Sequence, residues 1–157
     1  MDSSNLGGRN VGAFEVISLT DIPHRPPFSF VSRIIEAGEK RIITEWLADP
    51  AAEFFKGHYP RRPIVPGVLL CECCFQAGAL LIAARTGPMT EGSRIPVVTR
   101  ISDARFKRMV GPGQMVTVEV TLDETVDEAY FMTGRVTVEN QLVARVGFAC
   151  MAAGNSA

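Results

Sequence analysis

A histidine and a glutamate stand out as groups that could exchange protons with a substrate. His58 lies in the proline-dense segment Gly57–Pro66, and Glu72 lies in the apolar run Ile64–Ala84. Histidine is the side chain that ionises nearest to neutral pH, so it can act as a base. Burial lets a carboxylic acid keep its proton and donate it. The two residue types therefore indicate general acid–base chemistry.

The elements that would position these groups follow from the surrounding pattern. The segment Gly57–Pro66 is too rich in proline for a helix or a central strand, which predicts a stiff loop. From Gly67 to Arg85 the sequence is apolar on all sides except at Glu72 and Gln76, which is typical of a helix surrounded by protein. A helix that begins near Gly67 places Val68 on the same stripe as Glu72 and Gln76.

The start of this helix could bind an oxyanion. Unpaired backbone N–H groups and the positive end of the helix dipole favour negative charge there. Gly67 has no side chain, so a carbonyl oxygen can approach its N–H closely. If His58 removes a proton beside a thioester carbonyl, charge develops on that oxygen while Glu72 protonates a departing β-hydroxyl. These residues therefore predict a β-elimination of water.

The rest of the chain predicts an α+β domain. A short helix is expected at Phe14–Asp21, a hairpin from Phe28–Ala37 and Arg41–Leu47, and a helical turn at Ala51–Phe55. Strands that follow one buried helix indicate an antiparallel sheet wrapped around it. We expect residues 1–12 to be a flexible segment and residues 13–157 to form a single domain. The four later strands are predicted at Ile95–Phe106, Met115–Leu122, Tyr130–Val138 and Gln141–Met151.

Composition excludes several classes of protein. The chain has 157 residues, 46% of them hydrophobic, which is enough for one sizeable core. Its net charge of −1 lacks the basic excess of a dedicated nucleic-acid binder. Residues 1–12 have no basic region followed by an apolar region, so no cleaved signal peptide is expected, and Pro66, Glu72 and Gln76 interrupt the longest apolar run. We therefore expect a cytoplasmic location and no membrane or nucleic-acid partner.

The cysteines are interpreted as structural. Cys71 and Cys74 spell C-x-x-C, but a zinc site needs about four ligands. The chain has no second cysteine pair, and its two histidines, His24 and His58, are far away in sequence. Small buried hydrophobic residues in a reducing compartment are the favoured interpretation, and no metal is expected. This interpretation covers all four cysteines of the chain, Cys71, Cys73, Cys74 and Cys150.

A long motif carries a family resemblance. GHYPRRPIVPGVLLCECCFQ, at Gly57–Gln76, resembles the H-F-P-x-x-P-x-M-P-G-V-L-x-x-E-x-x-x-Q signature of 3-hydroxyacyl-acyl carrier protein dehydratases. Two further stretches match in order, IPHRPPF at Ile22–Phe28 and DARFKRMVGPGQ at Asp103–Gln114. Tyr59 replaces the commoner Phe, and Cys73–Phe75 replaces smaller or more typical residues. These departures keep the reactive groups and leave the acyl chain length open.

The resemblance implies a hot-dog fold, an antiparallel sheet wrapped around one long central helix, with no metal or organic cofactor. It implies that His58 and Glu72 are catalytic, that the Gly67 amide binds the thioester carbonyl, and that Val68 is the adjacent backbone position. An acyl carrier protein thioester is the implied substrate. The implied assembly is a homodimer whose sites each take the histidine and the glutamate from different subunits, in some cases a trimer of dimers. The expected supporting residues are Gln76, Tyr59 and Pro60.

Two features of the surface near the motif add expectations. Peptide bonds before proline adopt the cis form at modest cost, so Tyr59–Pro60 is the bond where a cis form could turn the histidine ring. Basic residues flank the motif and predict a docking surface for an acidic carrier protein, although a solvated strand edge is the alternative. The docking candidates are Arg105, Lys107, Arg108, Arg61 and Arg62.

Two other functions stay open from the sequence. A hot-dog acyl thioesterase would use a helix carboxylate to activate water, and a histidine at position 58 argues against it. A non-catalytic module that binds an acyl chain or its carrier would not need both His58 and Glu72. Dehydration of 3-hydroxyacyl carrier protein to the trans-2-enoyl product, in fatty acid or related lipid or polyketide synthesis, is therefore the favoured function.

Overall fold

One long helix and one sheet account for most of the computed structural model, which describes residues 17–153. The sheet has six antiparallel strands in the order β1-β2-β4-β5-β6-β3, so β1 and β3 are its edges. The first element is a 3-10 turn, Leu19–Asp21. The others are β1 (Arg33–Ala37), β2 (Arg41–Leu47), α1 (Phe54–Gly57), α2 (Gly67–Thr86), β3 (Ile95–Phe106), β4 (Met115–Val126), β5 (Ala129–Val138) and β6 (Gln141–Ala153).

The core lies between α2 and one face of the sheet. Alternate residues of β4 are buried and the residues between them are more exposed, as expected for a strand with one face against a core. The neighbouring strand β2 continues this face, since Ile42 pairs with Val120 and Trp46 pairs with Val116. All four of these side chains are buried. Helix α2 packs on this surface, which explains its apolar sequence.

The backbone of β5 approaches α2 closely. A Cβ atom added at Gly134 would lie 2.5 Å from Sγ and 2.7 Å from Cβ of Cys74. Only glycine therefore fits at this strand position without displacing the helix. In residues 17–153, α2 is the one helix whose length and apolar composition would suffice to cross a bilayer, and most of it is buried inside the fold, as in the core helix of many globular proteins.

The predicted antiparallel sheet around one long helix is confirmed, but several boundaries differ. The helix predicted at Phe14–Asp21 is a 3-10 turn at its end, and its first residues, like the predicted flexible segment 1–12, lie outside the described part. The helical turn predicted at Ala51–Phe55 is formed by Phe54–Gly57. The strand predicted from Phe28 begins at Arg33. Before it, the Phe28 carbonyl and the Phe30 N–H bond to the side chain of Gln76 on α2 and not to a neighbouring strand.

The interpretation of the cysteines as buried residues is confirmed, since all four are free and buried. Burial, with a smaller contribution from the negative charge of Glu72, raises the pKa of the Cys150 thiol to about 12. Burial likewise raises the thiol pKa values of Cys73 and Cys74. These groups therefore stay protonated at neutral pH and behave as small apolar side chains.

Candidate active site

The loop before α2 holds His58 in one tautomer. Nδ1 of His58 lies 3.0 Å from the carbonyl oxygen of Ile64, and the Ile64 N–H donates to the His58 carbonyl at 2.9 Å. A carbonyl oxygen only accepts hydrogen bonds, so the ring proton is on Nδ1. Nε2 of His58 therefore carries the free lone pair, which is the state that a general base needs.

Tyr59 braces this loop in two ways. Its ring stacks on the His58 ring with centroids 4.2 Å apart. Its backbone N–H and carbonyl also pair with those of Arg62, at 3.3 and 3.0 Å. The sequence singled out Tyr59–Pro60 as a bond that could be cis, but the cis peptide bond of this loop is His58–Tyr59. The rule that assigns cis bonds to the residue before proline does not indicate a bond that precedes tyrosine.

Glu72 projects from the second turn of α2 and is held by a buried amide. Its side chain is 19% exposed, and Nε2 of Gln76 donates to its Oε1 at 3.0 Å. Gln76 is fully buried, and its Oε1 accepts a hydrogen bond from the Phe30 N–H at 2.8 Å. Nε2 of Gln76 also lies 3.3 Å from the Phe28 carbonyl oxygen. Gln76 thus ties the acid to the segment that precedes β1.

The amides at the start of α2 are free to bind an oxygen atom. Within residues 17–153 no hydrogen bond uses the N–H of Gly67 or Val68, and Pro66 before them has no N–H. The Val68 side chain is 72% exposed, so this end of the helix is open. A Cβ at Gly67 would lie 3.0 Å from the Phe106 ring. Glycine here leaves room for a carbonyl oxygen beside two free N–H donors.

His24 is a site residue that the sequence reasoning missed. Its Nε2 lies 3.7 Å from Oε1 of Glu72, although the two residues are far apart in the sequence. The stretch Ile22–Phe28, which carries part of the family resemblance, contained the only indication of this contact. The motif match marks this histidine, and no step of the predicted chemistry uses it.

No direct bond joins the candidate base and the candidate acid. In the described part of the molecule, no hydrogen bond or ion pair joins His58 and Glu72. A cavity of about 420 Å³ lies at the opposite end of α2, beside Met89 and Arg94, and neither His58 nor Glu72 lines it. This cavity is therefore not the place where the two groups would act on a substrate.

The basic docking candidates are exposed and lie near the start of α2. Arg105 and Phe106 end β3, and the Phe106 ring touches Gly67. The Val65 N–H donates to the Val110 carbonyl at 2.8 Å, which holds the loop of the base against the segment after β3. Arg105 is paired with Asp103 at 2.7 Å, so its charge is partly offset. The other exposed members are Lys107, Arg108, Arg61 and Arg62.

A single long helix wrapped by an antiparallel sheet, with a carboxylic acid on the helix and a histidine in the loop before it, defines a hot-dog protein equipped for acid–base chemistry. The chain belongs to the family of FabA-like domains, whose model matches residues 22–147. It is 36% identical over 133 residues to the 3-hydroxyacyl-[acyl-carrier-protein] dehydratase FabZ of Anaeromyxobacter sp. (strain K), covering 84% of this chain and 85% of that one.

Other comparisons agree with this assignment. The FabZ dehydratase of Xanthomonas oryzae pv. oryzae (strain PXO99A) is 33% identical over 134 residues, covering 84% of this chain and 87% of the relative. Among solved structures, the dehydratase heterocomplex ApeI:P from Xenorhabdus doucetiae aligns with a TM-score of 0.71 at 10% identity, covering 87% of this chain and 91% of that chain. At that identity the likeness to the solved structure shows the hot-dog fold alone.

Proposed function

We propose that this protein is a 3-hydroxyacyl-[acyl-carrier-protein] dehydratase that forms the trans-2-enoyl thioester in fatty acid biosynthesis. The observation that carries the proposal is the 3.0 Å contact between Nδ1 of His58 and the Ile64 carbonyl oxygen, which leaves Nε2 of the neutral ring free to take a proton. The FabZ relatives, similar over most of the chain, are named for the same reaction. Related lipid or polyketide synthesis would use the same chemistry on a different acyl chain.

The site residues divide the reaction between them. Nε2 of His58 takes a proton from the carbon next to the thioester carbonyl, and the electron pair moves toward the carbonyl oxygen. The N–H groups of Gly67 and Val68 stabilise the charge on that oxygen. As the carbon–carbon double bond forms, the β-carbon–oxygen bond breaks and Glu72 protonates the leaving hydroxyl group. Water and the 2-enoyl thioester are the products, and the proton gained by His58 returns to Glu72.

The enzyme acts as a homodimer with shared sites in this proposal. No hydrogen bond or ion pair joins His58 and Glu72 within the described part of one chain, and in this proposal Glu72 of one chain acts together with His58 of the partner subunit. The edge strand β3 supports a second copy as the missing partner. It is long, it pairs only with β6, and its apolar residues are exposed. The exposed apolar side chains of β3 are Ile95, Val97, Val98, Ile101 and Phe106.

Acyl carrier protein is the proposed source of the thioester, and the basic residues near the start of α2 are its proposed docking surface. Positive charge beside the site would attract an acidic carrier although the chain as a whole has a net charge of −1. Because Arg105 is paired with Asp103, we assign more of this attraction to Lys107 and Arg108. A cytoplasmic location, where such carriers would meet the enzyme, belongs to the same proposal.

A substrate assay tests the reaction. The protein is incubated with 3-hydroxyacyl carrier proteins of several chain lengths, and both the 2-enoyl thioester and the free acid are measured. We expect the enoyl thioester and no free acid. Free acid as the main product would identify a thioesterase, and the absence of either product would identify a binding module.

Paired variants test the shared site. His58→Ala and Glu72→Gln should each lower kcat by about 10²–10⁴-fold, because each removes one positioned proton-transfer group. Mixing the two variants under conditions of subunit exchange should restore part of the activity, since one of the two sites in a mixed dimer then contains both native groups and the other contains neither. Demonstrated mixed dimers without restored activity would contradict a site shared between subunits.

A further inference from the structure

His24 lies beside the proposed acid in a half-buried position. Its side chain is 28% exposed, and its Nε2 lies 3.7 Å from Oε1 of Glu72. Its other ring nitrogen, Nδ1, is buried and has no hydrogen-bond partner within residues 17–153. A buried polar atom without a partner costs free energy, so a histidine placed this way calls for an explanation.

Hydrogen bonds hold the backbone on both sides of His24 in the chain. Nη1 of Arg25 donates to the carbonyl oxygens of Ile22 and His24, each at 2.6 Å. The Ile22 side chain is buried in the core, and the Met89 N–H donates to the Asp21 carbonyl at 2.8 Å. The imidazole is therefore presented to Glu72 by a braced backbone and not by a free loop.

The surroundings of His24 favour the neutral ring. Burial lowers its pKa, the charge of Glu72 raises it, and the charge of Arg25 lowers it again, with a net lowering. A neutral imidazole carries one proton. On Nδ1 that proton would be buried without an acceptor, whereas on Nε2 it faces a carboxyl oxygen. The favoured form is therefore neutral with the proton on Nε2.

We propose that His24 is a positioning residue for the acid, whose Nε2–H faces the same oxygen of Glu72, Oε1, to which Gln76 donates, so that Oε2 holds the proton delivered to the substrate. This inference rests on the proposed dehydration. Gln76 donates to Oε1 at 3.0 Å, and Nε2 of His24 lies 3.7 Å from the same atom, a polar contact longer than a hydrogen bond. When the proton leaves Oε2, the carboxylate that remains keeps both donors. His24 gives up no proton, and the products are unchanged.

Two substitutions separate hydrogen bonding from packing. His24→Leu replaces the imidazole with an apolar side chain of similar bulk and removes the N–H group, whereas His24→Gln places an amide N–H close to the position of Nε2. We expect His24→Leu to lower kcat by about tenfold with KM changed by less than about twofold, as for a lost bond to a charged group. His24→Gln should recover most of kcat.

A control variant in the same segment is available. Ser18 caps the 3-10 turn at Leu19–Asp21 and makes no hydrogen bond to α2 in the described part of the chain. Ser18→Ala should leave kcat unchanged. Full kcat in folded His24→Leu would overturn the inference, and so would an equal loss in His24→Leu and His24→Gln, because an equal loss would indicate packing.

A spectroscopic test does not depend on activity. The untagged protein contains only two histidines, so its imidazole ¹⁵N signals can be assigned with a His58→Ala variant. We expect opposite neutral tautomers, with the proton on Nε2 in His24 and on Nδ1 in His58. Glu72→Gln should shift the His24 signals. A proton on Nδ1 of His24, or signals that Glu72→Gln does not move, would overturn the positioning role even in an active dehydratase. An inactive wild type with the expected tautomers would instead contradict the proposed reaction.

Discussion

Replacing Gln76 with leucine should reduce both stability and catalysis, since this buried amide joins the acid to the segment before β1. The substitution leaves the buried Phe30 N–H without its acceptor, which costs about 1–3 kcal/mol. It also removes the N–H donor to the Glu72 carboxyl group, and a hydrogen bond between neutral groups contributes about 0.5–1.5 kcal/mol. The Phe28 carbonyl belongs to a half-exposed residue, so water can replace that bond at little cost.

The expected loss is therefore about 1–4 kcal/mol in the free energy of unfolding, after allowance for the better burial of leucine. For a chain of this size it corresponds to a fall in Tm of roughly 2–16 °C. Thermal and urea unfolding at one fixed protein concentration measure it, because association between copies would add to the apparent stability.

A matched variant separates stability from catalysis. Leu80 is fully buried one turn further along α2, and Leu80→Ala should cost a similar amount, about 2–5 kcal/mol, through the cavity that it leaves. At a temperature where both variants are folded, Gln76→Leu should have a lower kcat, whereas Leu80→Ala should keep that of the wild type. Equal kcat values in the two variants would refute the reasoning that Gln76 acts on Glu72.

Three further outcomes are expected. Gly134→Ala should destabilise the protein by about 1–3 kcal/mol or prevent folding, because the new Cβ would overlap Cys74, and an unchanged urea midpoint would contradict that contact. The pKa of Cys150 is about 12 in the fold against 9.0 without it, so its stabilising effect is complete below pH 9.0 and is lost as the pH rises toward 12. Urea unfolding across that range should therefore show a steeper loss in the wild type than in Cys150→Ala. Arg108→Glu should raise KM for carrier-protein substrates more than for pantetheine substrates, and more than Arg105→Glu does, whereas equal effects on both substrates would contradict docking.

Much of the site could be predicted because its parts are encoded in short stretches. The prolines of Gly57–Pro66 exclude a helix, and the apolar run after them continues for the length of α2. Glu72 was predicted as a site residue because a glutamate is rarely buried in a helix without a bonding partner. The free amides of Gly67 and Val68 follow from the helix beginning there, since the first N–H groups of any helix have no partner within it.

Residue type and local periodicity were enough to predict the helix, the antiparallel sheet and the candidate acid and base. The position of His24 beside Glu72 depends on the folded chain, and so does the bond from Phe30 to Gln76, which delays the first strand until Arg33. The lack of a direct bond between His58 and Glu72 in the described residues likewise depends on the folded chain. These relations join positions far apart in the sequence, and packing sets them, because a buried donor bonds to whichever acceptor the folded chain places beside it.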